Sequence, residues 1–128
     1  MKIAVLIARV LLGLIFVVFG LNGFLNFLHA PMPTGQAGQY MGVMFGSFYM
    51  HFIFLVQLVG GLLLLSGQFI PLALVLLGPV LVNILLFHIS FLPAGLPPGL
   101  LSTLLWFIIF FGYRRSFAGI FEQKAPLA

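Results

Sequence analysis

The chain has 128 residues, 63% of them hydrophobic and 5% charged, with a mean hydropathy of +1.32. A soluble domain carries about 25% charged residues, so water is excluded as the main solvent, and too little polar sequence remains for a second domain. The formal charge of +4 comes from Lys2, Arg9, Arg114, Arg115 and Lys124 against one acid, a pattern that sets membrane topology and lacks the clustered basic face nucleic acid requires.

Cysteine is absent, which removes disulfides, thiolate metal sites and a dithiol redox pair. Electron chemistry would then need a bound group. A bilayer core about 30 Å thick takes roughly 20 apolar residues at 1.5 Å rise each. Four stretches meet or approach that length, so the fold class expected is all-α: an integral membrane four-helix bundle built as two helical hairpins, one domain over residues 1–128.

The first span is predicted over residues 3–28. Lys2 and the apolar run after it imitate a signal peptide, but the run exceeds a usual h-region, and its only small-residue exit, Ala30, is followed by Pro31; a retained span is expected. The connection at 30–47 has Pro, Gly, Gln, Met and aromatics without a charge. Tyr40, Met41, Met44 and Phe45 suit a short interfacial helix or a cap over the bundle mouth, and equally an amphipathic loop. The second span, about 48–65, closes at Ser66-Gly67-Gln68. The third, 71–92, opens on Pro71, a residue favoured in a first helical turn. Pro93, Pro97 and Pro98 force a tight turn, and the fourth span, 99–113, stops at Arg114-Arg115, with a tail over 114–128. The cations at both ends, against two uncharged Pro-containing loops, predict that both termini and the 66–70 turn face the cytoplasm.

Amides and imidazoles inside a span need partners that lipid does not supply, and so are expected to point into the bundle. Asn22, Asn26 and His29 stand at i, i+4 and i+7 on one face of the first span. Gln57 shares its face with Gly60 and Gly61, which permit close helix approach. His51 lies about 120° around that helix from Gln57, and Asn83 and His88 are about 140° apart on theirs. With alternating span direction these groups outline a funnel opening outward, with Gln57 and Asn83 near the midplane. For Asn22, Gln57 and Asn83 two roles stand open: interhelical hydrogen bonds that fix packing, each about 0.6–2 kcal/mol, or a pocket for a polar head group such as a quinone carbonyl. The histidines fit interfacial placement; with no His pair at i, i+3 or i, i+4 and no carboxylate near, no metal site is expected. Trp106 falls inside the fourth span, away from the usual aromatic belt, where it packs inward or lines a cavity.

Catalytic groups are scarce. Glu122, the sole acid, lies in the tail, Ser47, Ser102 and Thr103 lack a nucleophile elbow, and no intramembrane carboxylate could carry a proton. An activity of the chain on its own is not expected.

Arg9 to Phe24 (RVLLGLIFVVFGLNGF), Gln57 to Gly67 (QLVGGLLLLSG) and Pro79 to His88 (PVLVNILLFH) resemble the DoxX-like family of small four-helix bacterial membrane proteins, over the first three spans and more loosely the fourth. The resemblance implies a bundle in the bacterial cytoplasmic (inner) membrane. The family takes its name from a subunit associated with thiosulfate oxidation by quinone, and some relatives are linked to oxidoreductase complexes in oxidative-stress defence. Members often carry an acid where this chain has Gln57, whose amide keeps the hydrogen bonding and drops the charge.

The reading expected from residues and resemblance together is an accessory membrane protein, a subunit of an electron-transfer or other membrane assembly. Its outward-opening cavity would hold a lipid-like or quinone-like molecule, with Asn22, Asn26, His51, Gln57, Asn83, His88 and Trp106 as ligand-binding candidates. The bilayer, other membrane subunits or further copies of the chain are the expected partners, and nucleic acid is not. Two alternatives stand beside it: a catalytic quinone oxidoreductase subunit with His51 or His88 handling the proton, and a purely structural scaffold.

Overall fold

A computed structural model describes all 128 residues, and every regular element in it is helical: α1 (Lys2–Leu25), α2 (Gly35–Phe45), α3 (Phe48–Ser66), α4 (Ile70–Phe91) and α5 (Leu96–Gly112), with single 3-10 turns at Pro93–Gly95 and Arg114–Phe117. Four segments are long and apolar enough to cross a membrane: α1, α3, α4, and α5 with the turn before it. Around the bundle the order is α1, α3, α4, α5, each packed on its two neighbours. The chain is therefore a membrane helical bundle of two hairpins, α1 with α3 and α4 with α5.

Each span contributes one stripe to the interior. On α1 it is Val5, Ala8, Leu12, Phe16 and Gly20, spaced by three and four residues as one helix face requires. Leu64 of α3, Leu74 and Leu77 of α4 and Ile109 of α5 are fully buried against it. Only 22 of the 128 residues are buried, so most of the apolar side chains face outward, where hydrocarbon and not water solvates them.

Glycines set how closely the helices approach. A Cβ on Gly61 would stand 2.9 Å from the Gly13 carbonyl oxygen, and one on Gly60 would stand 2.6 Å from Leu77 of α4. The adjacent pair thus serves two interfaces, Gly61 toward α1 and Gly60 toward α4. Small residues at crossings are the usual means of helix association in lipid, where no hydrophobic force draws helices together.

Two span ends depart from the sequence reading. α1 stops at Leu25, short of 28, because Asn26 adopts the left-handed conformation (φ 51°) and its N–H turns back to the Asn22 carbonyl. α5 begins at Leu96, ahead of 99, since Pro97 and Pro98 occupy its first turn, where a missing N–H loses no intrahelical bond. The 30–47 connection, readable as helix or loop, contains the 11-residue helix α2. It packs on α3 and α4, with the Tyr40 ring 5.6 Å from Phe91 at an interplanar angle of 28°, and Phe45 5.6 Å from Phe54.

Candidate functional site

In an apolar helix a polar side chain can bond its own backbone one turn back, and three of the seven candidates do. Asn83 Nδ2 donates to the Pro79 carbonyl at 3.0 Å. His51 Nδ1 donates to the Ser47 carbonyl at 3.2 Å and His88 Nδ1 to the Ile84 carbonyl at 2.8 Å. Ser102 and Thr103 bond Pro98 and Gly99 in the same way. Such local bonds satisfy a donor without drawing in a second helix.

Asn22 closes the end of α1: its Oδ1 accepts the Leu28 N–H at 2.8 Å. Asn26 is the exposed left-handed cap, and His29 also has positive φ and is exposed. His51 is exposed, its ring 5.9 Å from Phe24. Asn83 lies on the outward face of α4, away from the core stripe of Ala73, Leu77, Val80 and Leu81. The inward orientation expected for every intramembrane amide and imidazole therefore does not hold. Asn26, His51 and Asn83 face outward, and the set does not converge on one central funnel.

Gln57 differs. It is 6% exposed, three residues before Gly60 and four before Gly61, so it points between the helices those glycines approach. Its amide takes part in none of the side-chain hydrogen bonds. No fully sealed side-chain polar atom lacks a partner, so the amide borders a small accessible space. One turn toward the Pro-rich end, Phe54 is buried and meets Phe45 of α2 and Phe24 of α1, which places an aromatic layer between Gln57 and the bundle mouth.

Trp106 is committed within the protein. Its Nε1–H donates to the Leu74 carbonyl of α4 at 3.1 Å, the ring lies over Gly78, and Phe110 stacks on it at 5.5 Å. It ties α5 to α4 and carries no free donor. His88 is half-buried, its ring lying beside Gly95.

Two hollows lie outside the expected funnel. At the Pro-rich end a cleft of about 420 Å³ between α2 and the end of α4 is lined by Gln36, Gln39, Tyr40, Val43, Met44 and Phe91. At the charged end a groove of about 390 Å³ separates the start of α1 from the end of α5. The sequence marked Tyr40 and Met44 as a possible cap, but Gln36, Gln39 and Phe91 meet only once α2 folds across α4, a contact no local pattern announces. No group of three or more His, Cys, Asp or Glu side chains suited to a metal ion occurs.

Neither a curated protein nor a solved structure matches the chain. The DoxX family does match, over residues 4–89, which spans α1 to α4 up to His88 and Ile89 and covers more than half of the chain. With four apolar spans in a glycine-spaced bundle and this match, the protein is a multi-pass membrane protein of the DoxX family.

Proposed function

We propose that this chain, acting as one domain over residues 1–128, is an accessory protein of the bacterial cytoplasmic membrane that holds a quinone-like or lipid-like molecule at its Pro-rich end. The observation that carries the reading is the cleft between α2 and α4. Its volume, about 420 Å³, falls in the range of small-molecule sites. Phe91, Val43 and Met44 offer an apolar wall, the Tyr40 ring stacks beside Phe91, and the amides of Gln36 and Gln39 offer donors for a ring carbonyl. The cavity in this proposal lies on the flank of α4 and not on the bundle axis. A binding role is favoured over a catalytic one because the cleft holds amides and a phenol but no carboxylate or imidazole.

A photoactivatable azido-quinone added to the protein in nanodiscs tests it. Crosslinks are expected in α2 or at Phe91, and Gln39→Leu combined with Tyr40→Leu should reduce them at least fivefold while Gln57→Leu does not. Equal labelling of the double variant and the parent overturns the reading.

Membership of a larger assembly is supported by a separate observation. Asn83 is exposed at bilayer depth with only its Nδ2 bonded, and Pro79 denies the Val75 carbonyl its helical N–H. Polar groups on a lipid-facing surface gain about 0.6–2 kcal/mol each from a partner helix. Asn83→Leu is expected to release co-purifying subunits or to convert an oligomer to the monomer on blue native gels; an unchanged migration and subunit content removes this part.

A further inference from the structure

The groove at the charged end combines features that the topology signal alone does not require. Lys2, Val5, Leu6 and Arg9 follow at i, i+3, i+4 and i+7 and so share one face of α1. That face looks across to Gly112 and Tyr113 at the end of α5, leaving a hollow of about 390 Å³. Its floor is narrow: a Cβ on Gly112 would lie 2.6 Å from Val5, so the two helices nearly touch beneath the opening. Apolar Val5 and Leu6 line the hollow beside two cations and a phenol.

Arg9 is the notable member. It is half-buried, its guanidinium rests against Gly67 at the C-terminal cap of α3, and it takes part in none of the side-chain hydrogen bonds. The negative end of the α3 dipole compensates part of its charge, but five N–H donors remain. The one acid of the chain, Glu122, stands exposed in the tail, folded back on Gly119. Arg9 and Lys2 thus line one half-apolar groove at the charged end, and neither forms an ion pair with a carboxylate of the chain.

The geometry points to this groove as a binding site for the head group of an anionic phospholipid. The phosphate takes charge-assisted bonds from Arg9 and Lys2, for which the planar guanidinium is well shaped. The Tyr113 hydroxyl donates to a phosphate or ester oxygen, and Val5 and Leu6 meet the glycerol and the first methylenes. A lipid is favoured over a free anion because Leu6 is half exposed on the flank of a spanning helix, so the groove is continuous with the hydrocarbon. Basic pockets between spanning helices are a recurrent form of head-group site. The gain expected for a net-negative lipid is about fivefold per cation.

Native mass spectrometry of the full chain released from detergent tests the site. Samples are equilibrated with phosphatidylglycerol, with phosphatidylcholine, or with inorganic phosphate. The parent is expected to retain phosphatidylglycerol at least fivefold over phosphatidylcholine. Arg9→Gln and Lys2→Gln should each lower that ratio severalfold, and Tyr113→Phe should lower it less. Arg115→Gln removes the same charge outside the groove and should leave the ratio unchanged. If Arg9→Gln unfolds by circular dichroism, Lys2→Gln with Tyr113→Phe gives the same comparison without touching the α3 cap. A ratio near one for the parent, or equal losses in the groove variants and Arg115→Gln, overturns the site. Displacement of phosphatidylglycerol by millimolar inorganic phosphate overturns the lipid assignment and leaves a plain anion site.

Discussion

Gly13 of α1 and Gly61 of α3 meet backbone to backbone: a Cβ on Gly13 would lie 3.1 Å from the Gly61 carbonyl oxygen, and one on Gly61 would lie 2.9 Å from the Gly13 carbonyl oxygen. The contact is reciprocal, so neither helix can yield without moving the other. Beside it, a Cβ on Gly20 would press the Leu58 backbone at 3.0 Å. The result is one seam holding the first hairpin.

Gly61→Ala should cost about 1–3 kcal/mol, the usual penalty for overpacking a close contact. Gly42→Ala is the control, because nothing lies within 4 Å of a Cβ there and alanine favours the helix by up to about 1 kcal/mol. Thermal unfolding in detergent should then rank Gly61→Ala below the parent and Gly42→Ala level with it or above. Equal midpoints for all three would mean that the seam is looser than its geometry.

Trp106→Phe keeps a ring over Gly78 and on Phe110 but removes the Nε1–H that reaches Leu74. The loss should be about 1 kcal/mol, as for a single interhelical hydrogen bond in a membrane. Titration with a denaturing detergent measures it. No change in the midpoint would show that the α4–α5 contact rests on ring packing alone.

The number and order of the spans were legible because length and hydropathy suffice for them, and Gly60-Gly61 announced a close crossing by residue type. Which way each polar side chain points was not legible. In a span apolar on every side there is no periodic contrast to fix the buried face. Asn83 illustrates this: the core stripe of α4 through Val80 and Leu81 leaves position 83 about 110° away, but its neighbours Val82 and Ile84 give no hint of it. Asn22 was misleading for a different reason. Its amide lies in the last turn of α1, where a free N–H competes for it, and the Leu28 N–H takes it. The cleft beside α2 was hidden because it joins residues 36–44 to residue 91, a long-range contact with no local signature.

The α3–α4 turn contains a strained residue. Phe69 has φ 55° and is 67% exposed, so it bears the left-handed conformation with little packing in return. For a bulky residue that conformation costs about 1–2 kcal/mol, whereas asparagine visits it readily. Phe69→Asn should therefore raise the unfolding midpoint, by an amount equivalent to about 0.5–1 kcal/mol after lost contacts. A lower midpoint would reveal that Phe69 anchors the turn in the bilayer interface.

Orientation can be tested without background, because the chain has no cysteine of its own. Gln36, Ala94, Gln68 and Ser116 are all exposed, the first two at the Pro-rich end and the last two at the charged end. By the positive-inside rule, the cations Lys2, Arg9, Arg114 and Arg115 lead us to expect the charged end on the cytoplasmic side. A membrane-impermeant maleimide applied to intact cells should then label Gln36→Cys and Ala94→Cys at once, and Gln68→Cys and Ser116→Cys only after permeabilisation. The reverse pattern would turn the protein over and place the α2 cleft on the cytoplasmic side. Labelling of all four in intact cells would mean that both orientations coexist, as expected when the few cations near the ends do not suffice to fix one.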